Sequence, residues 1–328
     1  MPVGSFIAAG KSLERTVGRV KRAEDLGYHS AYVTHIAGRD SLAVLAAYAA
    51  GSERIKLGTG VLPIYSRTPV ATAQTAATID EMSGGRMVLG LGVSHRVTVE
   101  NWYGQTIDKP VREMREYATK VRAMLRGEDP PHTDGEKWPT DFHFMGYKTR
   151  ADMPIYIAAL SPAMLRLAGE IGDGVMLWLC NPDYIRDTVM PELRTGLERA
   201  GRSLDDGFDV VAAVPAAVTD DPERARSRLR ADLIPYFSLP FYRAMLERSG
   251  FGDDIAGFDS GMAAGDVEKA TSAISDEFLQ TLTAIGTADE ASASVRRYQE
   301  AGATSPCLGG VPGTDFDGTL EKLAGLTS

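Results

Sequence analysis

The sequence predicts an α/β protein of the (β/α)8 type, a TIM barrel formed as one domain over residues 1–328. Three observations carry this. Within Arg54–Arg96, a buried-strand run (Ile55–Val61) is followed by a helical stretch and a second apolar run (Met87–Val93). Strand, helix and strand in that length make a βαβ crossover, which requires parallel strands covered on both faces. Such runs recur eight times, each followed by a helical pattern, whereas a doubly wound sheet more often has about five to seven. A length of 328 residues, with 44% hydrophobic and 24% charged residues, suits one soluble barrel with a large core.

Taken in order, Val3–Ala9 is the first strand. Ser12 caps a helix in which Leu13, Val17, Val20, Ala23 and Leu26 repeat at helical spacing, and Gly27 ends it. Ser30–His35 is the second strand, and Asp40 opens an Ala-rich helix through Ala50. Strands three and four are the two runs above. The helix between them starts at Thr68-Pro69, where Thr caps free N–H groups and Pro already has helical φ, and it ends near Ser83-Gly84-Gly85. Glu113–Arg126 reads as a helix. Residues 127–153 combine Pro, Gly, charge and aromatics without a sustained period, as expected of an insertion. Pro154–Leu160 is the fifth strand, before a helix starting at Ser161-Pro162. Val175–Leu179 is the sixth, before a cap at Asn181-Pro182. Phe208–Val214 is the seventh, before a helix starting at Asp221-Pro222. Residues 239–281 read as a second, helical insertion. A helix over 288–301 leads into the eighth strand, Ser305–Val311, and a last helix closes at Leu326.

The formal charge of −9 argues against a general nucleic-acid or anionic-membrane binder. Cys180 and Cys307 lie far apart in apolar settings, as expected of core thiols in a reducing, cytoplasmic compartment. Met1-Pro2-Val3 leads into a strand without the basic start of a signal peptide, and no apolar run approaches the roughly 18 residues of a membrane helix.

In such barrels the site lies at the C-terminal ends of the strands. That selects Ala8, Ala9, Thr34, His35, Thr59, Gly60, Val61, Gly92, Ser94, His95, Leu160, Ser161 and Trp178. At Ser161-Pro162 a hydroxyl beside free helix N–H groups forms an anion site, or a plain N-cap. Gly90-Leu-Gly92-Val-Ser-His95 nearly matches a dinucleotide fingerprint, but His95 takes the third glycine position; glycine-rich strand ends explain the fragment as well. His35 closes a strand at the catalytic face and can exchange a proton near neutral pH; the alternative is a histidine that packs. His29, at the other end of that strand, is expected in solvent. The five histidines show no metal-ligand spacing. Arg224, Arg226, Arg228 and Arg230 are expected to form a solvated helix face. Trp102 and Trp138 read as core or lid, and Trp178 is placed to wall a pocket.

Ala23-Glu-Asp-Leu-Gly-Tyr28, Ile55-Lys-Leu-Gly-Thr-Gly-Val61, Arg67-Thr-Pro69 and Ser83-Gly-Gly-Arg86 with Leu89-Gly-Leu-Gly92 resemble the luciferase-like monooxygenase superfamily in order and spacing over nearly the whole chain. Ala159-Leu-Ser-Pro-Ala-Met-Leu165, Ala168-Gly-Glu170 and Gly172-Asp-Gly174 resemble its branch that uses the deazaflavin coenzyme F420. The resemblance implies a (β/α)8 barrel with insertions, a homodimer, and a hydride-transferring oxidoreductase acting on a small organic substrate. It implies a non-prolyl cis peptide at Gly60-Val61 and a coenzyme over the C-terminal face. The phosphate would lie near Gly92–His95 and Leu160–Pro162, with Thr34, Thr59, Gly60, Val61 and Trp178 as further contacts. His35 would serve proton transfer or substrate binding, although the family's usual Asp-His pair is here Thr34-His35. The competing expectations are an FMN-dependent monooxygenase on the same barrel and a flavin-binding protein without turnover.

Overall fold

A computed structural model describes residues 2–327. In order, the elements of its first half are β1 (Gly4–Phe6), α1 (Leu13–Asp25), β2 (Ser30–Val33), α2 (Ser41–Ala50), β3 (Lys56–Thr59), β4 (Leu62–Pro63), α3 (Pro69–Met82), β5 (Met87–Gly92), α4 (Arg96–Tyr103) and α5 (Pro110–Arg126). Then come β6 (Ile155–Ala158), α6 (Pro162–Ile171), β7 (Gly174–Leu177), α7 (Pro182–Tyr184), α8 (Met190–Arg199), β8 (Asp209–Val218) and α9 (Pro222–Phe237). Four helices follow, α10 (Pro240–Arg248), α11 (Gly252–Ala263), α12 (Val267–Ser272) and α13 (Asp276–Leu282). The chain closes with β9 (Ala284–Gly286), α14 (Ala288–Glu300), β10 (Ser305–Gly310) and α15 (Phe316–Lys322).

Eight strands pair in the order β10–β1–β2–β3–β5–β6–β7–β8, and the parallel β8–β10 ladder closes the ring. Strand pairing is parallel throughout, so this is the (β/α)8 barrel expected. Two short strands were not foreseen: β4 extends the sheet beside β5, and β9 pairs the far end of β8. Alternation along the strands separates two cores. Tyr32, Val88, Tyr156, Met176, Val211 and Cys307 fill the barrel axis under Phe6, Val61 and Ala158; the opposite faces pack against the helices.

Helix starts follow the sequence grammar. Thr68, Ser161, Asn181 and Asp221 each accept a backbone N–H of the first turn, with proline next in line. At the N-terminal face, the buried Glu24 carboxylate accepts the backbone N–H groups of Glu53, Arg54 and Ile55 and so fixes the entry to β3. Arg86 caps the neighbouring turns by donating to the carbonyls of Ser83, Ala49, Ser52 and Ile55.

Residues 127–154 hold neither helix nor strand, yet the segment is tied down. Glu116 accepts the backbone N–H groups of Lys137 and Trp138, and Arg150 forks onto Asp80. Trp138 packs on Tyr65 and Tyr117.

Two surface expectations are corrected. His29 is half-buried rather than in solvent, and its Nδ1 is enclosed without a hydrogen-bond partner. The arginines of α9 are not one solvated face: Arg226, Arg228 and Arg230 are half-buried, because Arg228 reaches the Gly313 carbonyl and Arg230 reaches Ile274 and Asp276. Both cysteines are free and buried, and burial pushes their thiols far above the ordinary range. No helix among the described residues is long and apolar enough to cross a membrane.

Candidate active site

The C-terminal end of the barrel is floored by small groups. Period-two alternation carries the inward face of β1 from Phe6 to Ala8, and that of β2 from Tyr32 to Thr34. On β3 and β5 the inward positions at this level are Gly60 and Gly92. A Cβ at Gly60 would lie 2.3 Å from Phe6 Cε1, and one at Gly92 would lie 2.5 Å from Val61 Cγ2, so neither position admits a side chain without displacing the floor. The Gly60–Val61 peptide is cis. Phe6, Val61 and Ala158 close this level over the axial core and stay partly open to solvent. A floor of this make-up suits a flat ring, because nothing projects from it.

Aromatic groups wall one side. Trp178, just past β7, stands 5.9 Å from Tyr236 at the end of α9; Tyr236 stands 4.9 Å from Tyr242 on α10, and Tyr242 stands 5.5 Å from His95. Within this wall Trp178 Nε1 is buried beside the Tyr236 hydroxyl, and His95 Nδ1 is buried without a hydrogen-bond partner, an uncommon condition for an interior polar atom. Burial holds the His95 imidazole below its ordinary pKa and favours the neutral ring. Two non-glycine residues in the wall's strand ends, Ser94 (φ 57°) and Leu179 (φ 61°), take left-handed backbone. Such positions cost roughly 1–3 kcal/mol each and cluster where a site fixes the backbone.

At the end of β6, Ser161 Oγ accepts the Met164 N–H at 3.4 Å and caps α6. The Leu160 carbonyl accepts the Tyr184 hydroxyl at 2.8 Å, and Pro162 occupies the first helical turn. This ten-residue helix directs its free N–H end and positive dipole towards the barrel mouth, where an anionic group is stabilised.

The structure does not bring every expected group to the mouth. Thr59 is fully buried on the outward face of β3; its hydroxyl donates to the Gly90 carbonyl at 2.7 Å and accepts the Gly90 N–H at 2.9 Å. That side chain joins two strands and is not free for a ligand. His35 lies on the side of its strand opposite Tyr32 and Thr34, against the first turn of α2. Its Nδ1 accepts the Ser41 N–H at 3.3 Å and sits 3.1 Å from Ser41 Oγ, which leaves the proton of the neutral ring on Nε2. Burial lowers its pKa, Asp40 opposes that and Arg67 adds to it; Asp40 and Arg67 are themselves paired. Tyr236 and Tyr242 carried no signal in the sequence, because α9 and α10 reach the mouth from a segment without strand periodicity. Trp102 is exposed on α4, and Trp138 belongs to the outer core. Among the described residues no group of acidic, His or Cys side chains is arranged to hold a metal ion.

Beside the floor, between the loops that follow β1 and β2, lies an open cavity of about 420 Å³ lined by Ala9, Gly10, Thr34, Ile36, Gly38 and Arg39.

Fold and site together define a (β/α)8 barrel whose strand ends carry a small-residue floor, an aromatic wall on one side and a helix N-terminus beside it. The chain belongs to the luciferase-like monooxygenase family, whose model matches residues 1–305. It is 32% identical over 310 residues, covering 93% of this chain and 92% of the relative, to the 5,10-methylenetetrahydromethanopterin reductase of Archaeoglobus fulgidus. It is 30% identical over 305 residues, 87% of each chain, to a Mycobacterium tuberculosis protein whose name places it among coenzyme F420-dependent oxidoreductases. The solved coenzyme F420-dependent tetrahydromethanopterin reductase of Methanopyrus kandleri shares the fold, with a TM-score of 0.83 at 24% identity over 98% of this chain and 97% of that one.

Proposed function

We propose that this protein is a coenzyme F420-dependent oxidoreductase that passes a hydride between the deazaflavin and a small organic substrate. The observation that carries the reading is the glycine floor beneath a wall in which the buried His95 Nδ1 has no hydrogen-bond partner. The coenzyme's anionic phosphate, set beside Ser94 and His95, would give that nitrogen a partner. The names of the A. fulgidus and M. tuberculosis relatives support the oxidoreductase class.

When bound and reduced, the coenzyme supplies the hydride. The chain's part is placement and exclusion of water. Thr34, Gly60, Val61 and Gly92 support the ring, and Trp178 with Tyr236 shields one edge. Ser94, His95 and the Leu160–Pro162 start of α6 meet the phosphate. His35, neutral because it is partly buried and already accepts the Ser41 N–H, keeps Nε2–H as its free donor. Although the ring lies on the outer side of the strand end, that N–H would steady, as a hydrogen-bond donor that keeps its proton, negative charge on a substrate oxygen or nitrogen that reaches over Thr34.

The experiment is a screen of carbonyl, imine and alkene acceptors against enzyme charged with reduced coenzyme bearing deuterium at the transferring carbon. Recovery of oxidised coenzyme with deuterium in the product supports the reading. Consumption of oxygen with oxygenated product would instead assign a monooxygenase.

A further inference from the structure

We infer that the cavity between the β1 and β2 loops is the substrate pocket and that it takes a small organic acid, whose carboxylate meets Arg39. The inference rests on the reading that the coenzyme ring lies on the glycine floor. Thr34 belongs to both the floor and the cavity, so a molecule in the cavity borders the ring.

The lining decides the chemistry. Ala9, Gly10, Gly38 and Ile36 offer apolar surface, Thr34 one hydroxyl, and Arg39 the one charge; no acidic side chain lines the cavity. Ile36, 58% exposed, gives the cavity its one large apolar side chain. Arg39 does not wave in solvent. Its Nη1 donates to the carbonyls of Ala9 and Gly10, and its Nη2 donates to that of Lys11. Three backbone acceptors therefore lock the guanidinium in one orientation, so the ordering entropy a free arginine would lose on binding is already spent. Those carbonyls are dipoles, not charges, and leave the cation without a carboxylate partner. Arg67, one loop away, is instead paired with Asp40. Two of the five guanidinium N–H groups, on Nε and Nη2, remain free, and arginine's fork fits a carboxylate. In a chain of net charge −9, an unneutralised cation fixed on a cavity wall selects an anion.

The test uses protein saturated with coenzyme F420 and a panel of carboxylic acids from acetate to benzoate, each beside its neutral amide. Affinities are read by calorimetry, with coenzyme affinity measured in parallel. The expected result is that at least one acid binds ten-fold or more tightly than its amide. Arg39→Gln should remove that preference while amide and coenzyme affinities stay within two-fold. Arg39→Lys, which keeps the charge but not the fork, should retain part of it. If Arg39→Gln does not fold, the wild-type acid-to-amide ratio together with Arg39→Lys decides. The inference is overturned if no acid binds, if acids and amides are indistinguishable, or if Arg39→Gln weakens both alike, which would make the residue a loop staple. It is also overturned if that variant loses coenzyme affinity, which would assign Arg39 to the coenzyme's own anionic part. Failure of the wild type to bind the coenzyme would instead count against the proposed function itself.

Discussion

Gly60 faces the ring of Phe6 so closely that a Cβ at residue 60 would stand 2.3 Å from Phe6 Cε1. The glycine is therefore required by the barrel floor itself, before any ligand arrives. Gly60→Ala should destabilise the fold by about 1–3 kcal/mol through overpacking, and it should weaken coenzyme binding because Phe6 must move upwards or aside. Phe6→Leu in the same chain should restore most of the melting temperature. Melting curves of the single and double variants check this; no recovery in the double variant would show that Phe6 is not the constraint.

Ser161 has two duties in this account, capping α6 and meeting an anion. Ser161→Ala should cost roughly 0.5–2 kcal/mol of stability through the lost cap. It should also reduce coenzyme affinity several-fold, and Ser161→Thr should recover both. Paired stability and affinity titrations separate the effects. Unchanged affinity in a destabilised Ser161→Ala variant would leave only the cap.

Acid stability should depend on Glu24. Burial pushes this carboxyl up, but the N–H groups of Arg54, Ile55 and Glu53, with Lys21, overcome it and hold the pKa at about 2 against an ordinary 4.5. The native state then binds fewer protons than the unfolded chain between those values. Its stabilisation is complete above pH 4.5 and is lost as pH falls through about 2, roughly 3 kcal/mol in all. Glu24→Gln should lower stability at neutral pH and flatten the acid limb of a denaturation series. An equally steep limb in the variant would contradict this assignment.

His35 should titrate below its ordinary value of 6.5. Acidification through that region charges a ring that the native state keeps neutral, so this group makes stability rise with pH just below 6.5. If the neutral Nε2–H is the active form, single-turnover reduction should not slow between pH 7 and pH 9. His35→Ala should lower that rate with little change in coenzyme affinity. A rate that falls steadily above pH 6 would identify the imidazolium as the acid, and an unchanged rate in the variant would remove His35 from the chemistry.

The barrel was legible because buried parallel strands write continuous apolar runs, and because Thr68, Ser161, Asn181 and Asp221 stand before prolines at helix starts. Much of what carries the family resemblance does structural work at the opposite end: Glu24 and Arg86 staple the N-terminal face, and Tyr28 donates to the Leu320 carbonyl. Such residues identify the fold without describing the site. The site was only partly readable. Strand-end position selected Gly60, Gly92, His95 and Trp178 but also swept in Thr59, which the pleat turns outward. Period two distinguishes Thr59 from Gly60, yet the side facing the axis is fixed only once Tyr32 and Phe6 are seen inside. Tyr236, Tyr242 and Arg39 come from helix and loop segments whose approach to the mouth depends on the closed ring, and no local pattern announces it.

The central claim is that the floor and its aromatic wall hold a deazaflavin. Equilibrium titration of the protein with coenzyme F420 and with FMN, following absorbance and tryptophan fluorescence in wild type and Trp178→Phe, tests it most directly. The account predicts that F420 binds more tightly than FMN by at least ten-fold, that binding quenches tryptophan emission in the wild type, and that Trp178→Phe removes most of that quenching and weakens binding. Tighter binding of FMN, or F420 binding that Trp178→Phe leaves unaltered in both affinity and quenching, would contradict it.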